Sequence, residues 1–232
     1  MANYRLLIFD FDGTLAHTHP SIIATVQQTL CELHLPVVSP EVIAEGIGME
    51  FRDCYRHYVP GIDDATIDAC EIVHRRIFAT TRLTHPPVLY PHVMETLQAL
   101  HDQGVTLAIA SSRASDELRQ LLSDLQIAPF FSVVVGGEQV THVKPAPEAV
   151  LRILDELSNS QQLMANGQRL KANGQQPATL VVGDMDVDIR MGHNAGVRTC
   201  AVTYGYGDIR LLREARPDYL IDDMSQLLPL VV

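Results

Sequence analysis

The chain has 232 residues, of which 47% are hydrophobic and 19% are charged, as in an ordinary globular protein that can bury a sizeable core. Its formal net charge of −11 argues against nucleic acid or an anionic membrane as a main partner. An anionic ligand would have to be bound by a metal and a few placed cations, and Lys144 and Lys171 are the only lysines.

The cysteines and the start of the chain predict a cytoplasmic location. The four cysteines form no CxxC pair, which favours a reduced chain: they are Cys31, Cys54, Cys70 and Cys200. Residues 1–5 lack the basic and then apolar pattern of a secretory signal, and no stretch approaches the roughly 18 apolar residues of a membrane span. We expect no membrane partner, and the sequence leaves open whether the protein is a monomer or a homodimer.

The first predicted element is a short buried strand that ends in two carboxylates. Residues 6–9 form an unbroken apolar run typical of a central strand, and Asp10, Asp12 and Gly13 follow it. Gly13 lets the chain leave the extended conformation, so both carboxylates can reach one site. Such a pair can hold a divalent cation, or act as a nucleophile and a proton donor. The alternative is an acidic strand-to-loop exit without a function.

Helical patterns then fill residues 16–84. Apolar residues recur at helical spacing after Pro20, and further helices are predicted around 41–47, 51–58 and 64–81. The His-Pro-Pro sequence at 85–87 ends this helical region. We therefore predict a helical domain, residues 16–87, inserted into a core domain formed by residues 1–15 and 88–232.

From residue 88 onward, predicted strands alternate with predicted helices. The helices cover residues 91–103, 115–125, 148–157 and 185–195, and the strands cover 105–110, 131–135, 179–182, 198–202 and 219–221. This alternation favours an α/β fold with a doubly wound parallel sheet. The polar segment 158–178, which contains Ala-Asn-Gly-Gln twice, does not fit the alternation and is interpreted as a mobile or partly helical insertion of unknown function.

Four groups of polar residues follow predicted strands, where ligands bind in open α/β sheets. They are Asp10 with Asp12, Ser111, the loop of Lys144, and Asp184 with Asp188. Asp184 and Asp188 are one helical turn apart, so they share a face.

Together these motifs resemble those of the haloacid dehalogenase-like hydrolases, in their phosphoglycolate phosphatase-like branch. Asp-Phe-Asp-Gly-Thr-Leu at 10–15 looks like the first motif of that family, and Gly-Asp-Met-Asp-Val-Asp at 183–188 looks like its acidic fourth motif. The resemblance implies a Rossmann-like core and an inserted α-helical cap.

The resemblance also implies catalytic roles. Asp10 is the expected nucleophile, which forms a phosphoaspartate, and Asp12 is the expected proton donor and acceptor. Ser111 is expected to bind a phosphoryl oxygen, with Thr14 and Ser112 in supporting positions. Lys144 is expected to offset charge on the nucleophile and on the phosphoryl group.

The implied cofactor is Mg²⁺, which prefers oxygen ligands. Its expected ligands are Asp10, Asp184 and the backbone carbonyl of Asp12, with Asp188 supporting Asp184 or Lys144. His17 stands where the family usually has Asp, and it is interpreted, with His19 nearby, as a polar hinge residue because nothing close by completes a ligand set.

The function indicated is a Mg²⁺-dependent hydrolase of a small phosphorylated metabolite, with phosphoglycolate as a plausible substrate. A sugar-phosphate mutase of the β-phosphoglucomutase type is an alternative, although Ile22 stands where those enzymes carry a cap histidine. A receiver-like module, in which a phosphorylated Asp switches a partner surface, is the alternative outside enzymes. Phosphonoacetaldehyde hydrolase chemistry needs a cap lysine, and the predicted cap contains none.

Specificity is predicted to come from the cap. Arg52, with Arg56 one turn later, follows a glycine-containing stretch at 46–48. Because the planar guanidinium group suits bidentate anion recognition, we predict that these arginines bind the leaving group or its carboxylate. The alternative is a pair of solvated helix arginines.

Overall fold

The computed structural model describes residues 4–159, 164–165, 168–169 and 178–231. By its internal contacts the chain divides into two compact units. Met1–Ala16 and Leu89–Val232 form one, here called the sheet unit, and His17–Val88 forms the other, here called the helical unit.

The elements alternate in the sheet unit and are helical in the inserted unit. The strands are β1 (Leu6–Phe9), β2 (Ala16–His17), β3 (Val88–Leu89), β4 (Thr106–Ala110), β5 (Phe131–Val135), β6 (Met164–Ala165), β7 (Gln168–Arg169), β8 (Thr179–Gly183), β9 (Arg198–Val202) and β10 (Tyr219–Ile221). The helices are α1 (His19–Glu32), α2 (Pro40–Glu45), α3 (Phe51–Tyr58), α4 (Asp64–Thr84), α5 (Val93–Asp102), α6 (Ser115–Asp124), α7 (Glu148–Asn159), α8 (Asp186–Asn194), α9 (Ile209–Glu214) and α10 (Leu228–Val231).

Six parallel strands form the sheet, in the spatial order β10-β9-β8-β1-β4-β5. Counted along the chain, this is the 3-2-1-4-5-6 order of the Rossmann fold, read from the β5 edge. The order reverses between β1 and β8, so the crossovers on the two sides of this point place their helices on opposite faces. The predicted doubly wound parallel sheet is confirmed.

β1 is covered on both faces, which explains its unbroken apolar sequence. Leu6 and Ile8 pack in one cluster with Val150 and Ile153 of α7. Leu7 and Phe9 point to the opposite face because side chains alternate along a strand, and they are also fully buried. Burial on both sides is the rule for central parallel strands.

The helical unit has a core of its own. Val26 and Leu30 of α1 pack with Tyr55 of α3 and Ile67 of α4. α4 continues to Thr84, beyond the predicted end at residue 81, because nothing breaks the helix before His85, which leaves the helical conformation ahead of Pro86. Among the helices of the described residues, none has both the length and the apolar character needed to cross a membrane.

Other elements differ from the sequence-based expectations. β2 and β3 are two-residue strands where no strand was predicted, and no helix was predicted at the positions of α9 and α10. The predicted insertion at 158–178 lies mostly outside the described residues, apart from the end of α7, the short strands β6 and β7, and Ala178.

The central position of β1 gives a stability prediction. Leu7→Ala removes a fully buried side chain and should lower the free energy of unfolding by about 2–5 kcal/mol, because the lost contacts leave a cavity. Leu220→Ala in the edge strand β10 is the matched control, since Leu220 is 43% exposed and should cost within about 0.5 kcal/mol. Denaturant unfolding of both variants measures the difference, and equal losses would contradict the central placement of β1.

Candidate functional site

The candidate site lies where the strand order reverses. Asp10 directly follows β1 and Asp184 directly follows β8, and these two strands pair side by side, with Phe9 opposite Val182. In a parallel sheet the carboxyl ends of adjacent strands meet at one edge, and the reversal opens a crevice there. Two carboxylates 174 positions apart in the chain therefore come to one place.

Lys144 joins the two halves of this site. Its Nζ atom lies 2.5 Å from Asp10 Oδ1 and 2.7 Å from Asp188 Oδ1, and the side chain is 6% exposed. The loop that carries Lys144 is tied to α8, because the Asn194 side chain donates a hydrogen bond to the Pro145 carbonyl at 2.9 Å. The loop and the helix that bears Asp188 are thus fixed relative to each other.

Both oxygens of Asp184 are anchored by hydrogen bonds. The Thr14 hydroxyl donates to Oδ1 at 2.8 Å, and the backbone N–H of Tyr206 donates to Oδ2 at 2.7 Å. The surrounding backbone approaches so closely that a Cβ at Gly13 or at Gly205 would stand within 2.5 Å of an Asp184 oxygen. Gly13 also has φ of +86°, which favours glycine.

The segment 203–207, Thr-Tyr-Gly-Tyr-Gly, was missed from the sequence as part of the site. Besides the contact from Tyr206, the Tyr204 hydroxyl donates to the Thr14 carbonyl at 2.8 Å. The available signal was the pair Gly205 and Gly207 in the loop that follows the buried strand β9.

The carboxylates of Asp10, Asp184 and Asp188 form an acidic cluster. Oxygens of Asp10, Asp184 and Asp188 all lie within 4.8 Å of one another. Burial and the neighbouring carboxylates raise the pKa of Asp10 well above its usual value, although Lys144 opposes the shift. Burial and the charge of Asp188 raise the pKa of Asp184 to about 7. Three buried carboxylates beside one buried lysine leave an excess of negative charge. A divalent cation bound by carboxylate oxygens would offset that charge.

Lys144 itself stays charged in this cluster. Burial lowers the pKa of Lys144, but the charges of Asp10 and Asp188 outweigh burial and raise it above its ordinary value. Asp188, expected only to support the site, thus belongs to the acidic cluster and to the lysine pair at once. The predicted contribution of the Asp12 backbone carbonyl as a metal ligand stays a prediction.

The side chain of Asp12 forms an ion pair with Arg113. Arg113 Nη2 and Nε lie 2.8 and 3.1 Å from Asp12 Oδ1 and Oδ2, and Arg113 Nη1 lies 3.2 Å from Glu117 Oε2. Burial lowers the pKa of Arg113, but Asp12 and Glu117 outweigh it and raise that pKa above its ordinary value. No role was predicted for Arg113 or Glu117, because an arginine after a strand and a glutamate in the first turn of a helix are common.

Ser111 lies at the same edge of the sheet. It follows β4, which pairs with β1 on the side away from β8, with Phe9 opposite Ile109. Its side chain is buried, and its Oγ accepts a hydrogen bond from the backbone N–H of Arg113 at 3.2 Å. The expected roles of Ser111 and of its half-buried neighbour Ser112 stay predictions.

The arginines predicted to bind substrate have partners within the helical unit. Arg52 contacts Asp64 and Asp68 at 3.1 and 2.7 Å, and Arg56 contacts Asp64 and Asp53 at 3.0 and 3.1 Å. A substrate carboxylate would have to displace these aspartates, so the contacts lend the prediction no support and it stays a prediction. The rings of His17 and His19 lie 5.8 Å apart, and their hinge role is likewise untested.

The anchoring of Asp184 predicts an effect on cation binding. Thr14→Val keeps the shape of a fully buried side chain but removes the hydroxyl, so the affinity for a divalent cation should fall about tenfold or more. Thr29→Val is the control, because Thr29 is equally buried but its hydroxyl bonds the Thr25 carbonyl within α1. Calorimetric titration of metal-free protein measures both, and equal affinities would show that Thr14 does not position Asp184.

Comparison with known proteins identifies the family of this chain. The family model of the haloacid dehalogenase-like hydrolases matches residues 7–202, from within β1 to the end of β9. The phosphoglycolate phosphatase of Salmonella typhimurium is 32% identical over 250 aligned residues, which cover 99% of this chain and 93% of that protein. The phosphoglycolate phosphatase of Pseudomonas putida is 31% identical, with 97% of this chain and 79% of that protein covered.

Solved structures show the same fold. A haloacid dehalogenase-like hydrolase from Bacteroides fragilis superposes with a TM-score of 0.76 at 27% identity, over 97% of this chain and 99% of that one. A predicted phosphoglycolate phosphatase from Haemophilus somnus superposes over the full length of both chains with a TM-score of 0.82 at 24% identity. The motif order, the sheet topology and these matches agree, and the chain belongs to the haloacid dehalogenase-like hydrolases, among the phosphatases of their phosphoglycolate phosphatase-like branch.

Proposed function

We propose that this phosphatase hydrolyses the monoester of a small phosphorylated metabolite through a phosphoaspartate formed on Asp10. The observation that carries the proposal is the contact of Lys144 with Asp10 beside two further buried aspartates at the topological reversal of the sheet. A carboxylate nucleophile next to a buried cation is suited to attack an anionic phosphoryl group, because the cation offsets the charge that both partners bring.

The proposed reaction has two steps. In the first, an Asp10 oxygen attacks phosphorus, the bond from phosphorus to the ester oxygen breaks, and Asp12 gives its proton to the departing alcohol. In the second, water attacks the phosphorus, its proton passes to Asp12, and the bond from Asp10 to phosphorus breaks to give phosphate. One residue can serve both steps because the second runs the proton transfer in reverse. Ser111, with Ser112 and Thr14 in support, would hold phosphoryl oxygens and the site in place.

We further propose that the acidic cluster binds Mg²⁺. The donor set fits, because Asp10, Asp184 and Asp188 offer only oxygen ligands and carry more charge than Lys144 offsets. The Asp12 carbonyl would complete the protein ligands. When bound, the ion would supply charge stabilisation to the phosphoryl oxygens. The residues of the chain would do the rest, since Thr14 and Tyr206 orient Asp184, and Lys144 orients Asp10 and Asp188.

The proposed substrate is phosphoglycolate or a metabolite of similar size. The support is the names of the relatives from Salmonella typhimurium and Pseudomonas putida, both at more than 30% identity over nearly all of this chain. We keep Arg52 and Arg56 as candidate specificity residues under this proposal, and a cytoplasmic location is consistent with the four free thiols. Membership of a hydrolase family and the inserted helical unit favour a hydrolase over a receiver-like switch.

The nucleophile assignment predicts that Asp10→Asn abolishes turnover while the protein stays folded, because the amide has nearly the same shape but is a poor nucleophile. Asp186→Asn is the control, since Asp186 lies on the same edge but pairs with Arg190 on α8. Phosphate release and thermal unfolding are measured together. Retention of more than a few per cent of the wild-type rate by a clean Asp10→Asn preparation would contradict the assignment. Release of a phosphorylated isomer instead of phosphate by the wild-type protein would favour a mutase.

The cofactor proposal predicts that a chelator abolishes phosphate release and that Mg²⁺ restores it. Ca²⁺ should bind but inhibit, because its looser and higher coordination disturbs the in-line geometry. Activity of the chelated protein is compared with and without each ion. Undiminished hydrolysis after thorough metal removal would show that the acidic cluster works without a cation.

A further inference from the structure

A second buried, positively charged side chain, that of Arg113, follows β4 at the same edge of the sheet as the Lys144 cluster. Arg113 is 10% exposed and lies between two carboxylates that are nearly as buried, Asp12 at 14% and Glu117 at 10%. Its Nε and Nη2 atoms contact the two oxygens of Asp12, and its Nη1 atom contacts Glu117. The pair with Asp12 is bidentate, which fixes the plane of the carboxyl group as well as its distance.

The backbone of Arg113 is held as firmly as its side chain. Its N–H donates to Ser111 Oγ at 3.2 Å, and its carbonyl accepts from the backbone N–H of Gly137 at 3.0 Å. A Cβ at Gly136 would stand 2.7 Å from the Arg113 carbonyl oxygen, so the loop after β5 packs directly on this residue. Arg113 is therefore a fixed point to which the Asp12 side chain is attached.

This attachment does not consume the whole carboxyl group. A carboxyl group has two oxygens with about four lone-pair positions, and a bidentate arginine occupies two of them. A bidentate arginine contact is therefore compatible with proton exchange at the same carboxyl group. Glu117 contacts the other edge of the guanidinium group, so it turns the Nε and Nη2 edge towards Asp12.

We propose that Arg113 is the positioning residue for Asp12, held in its orientation by Glu117, and that it aims the Asp12 carboxyl for both proton transfers. The inference rests on the proposed two-step phosphatase reaction. It separates the duties of the two cations, since Lys144 binds the nucleophile Asp10 whereas Arg113 binds the proton-transfer residue two positions later.

The inference has a kinetic signature that depends on the leaving group. p-Nitrophenyl phosphate and phenyl phosphate are esters of nearly the same shape. p-Nitrophenolate leaves without protonation, whereas phenolate is a poorer leaving group whose departure depends on receiving a proton. A misaimed Asp12 should therefore slow phosphoaspartate formation from phenyl phosphate and spare it from p-nitrophenyl phosphate. It should also slow the hydrolysis of the phosphoaspartate, whichever ester formed it, because Asp12 activates the water.

The test compares Arg113→Lys with wild type. Lysine keeps the positive charge but loses the planar fork, so the Asp12 carboxyl is no longer fixed in its plane. We expect kcat/KM for phenyl phosphate to fall roughly a hundredfold, as misplacement of a reacting group by an ångström can cause, and kcat/KM for p-nitrophenyl phosphate to change only a few-fold. Rapid quenching should show p-nitrophenolate released in a burst and the phosphoryl group retained on the protein. Arg119→Lys, an exposed arginine on α6, is the control and should match wild type.

Glu117→Gln provides a second variant, which should show the same leaving-group dependence with a smaller loss and which tests the inference if Arg113→Lys does not fold. Equal losses on both esters would place Arg113 in folding or in phosphate binding and overturn the inference. Faster turnover by either variant would also overturn it, since Arg113 would then restrain Asp12 rather than aim it. Failure of the wild-type protein to release phosphate from either ester would instead overturn the proposed function, and this inference with it.

Discussion

Burial of like charges at the carboxyl edge of the sheet is the constraint on which the site depends. Three aspartates place oxygens within 4.8 Å of one another, with Lys144 in contact with two of the three. Carboxylates repel strongly in a medium of low dielectric constant, and burial disfavours their charged forms. The raised pKa values of Asp10 and Asp184 are the direct result. This excess of buried negative charge is the reason for the proposal that the cluster binds a divalent cation.

The topology of the sheet brings this charge together. Asp10, Ser111 and Asp184 follow three neighbouring strands, although they are far apart in the chain. Parallel strands end at one edge, and the reversal of the strand order between β1 and β8 keeps crossover helices from covering that edge. β1 can occupy this central position because all four of its side chains are apolar and buried.

Lys144 and Arg113 each bind one of the two aspartates that follow β1. Asp10 and Asp12 are two residues apart, yet Asp10 contacts Lys144 and Asp12 contacts Arg113. Each cation is itself held by a second carboxylate, Asp188 for the lysine and Glu117 for the arginine. In a chain with a net charge of −11, positive charge is thus concentrated where two carboxylates must be kept in different orientations. Arg52 and Arg56 of the helical unit, by contrast, are paired with exposed aspartates.

The sequence by itself determined most of the strands and helices and the edge of the sheet at which the polar residues lie. The apolar run of 6–9 indicated a buried strand, and the polar residues directly after strands indicated the carboxyl edge of the sheet, because both signals depend only on neighbours in the chain. What only the tertiary structure decided were the partners of each side chain. Arg113 binds Asp12 across 101 positions, and Tyr206 binds Asp184 through a backbone N–H that any residue would offer. The pair of Arg113 and Asp12 leaves no periodic or compositional signal, and the contact from Tyr206 leaves only the two glycines beside it, since a pairing distance depends on how distant segments pack.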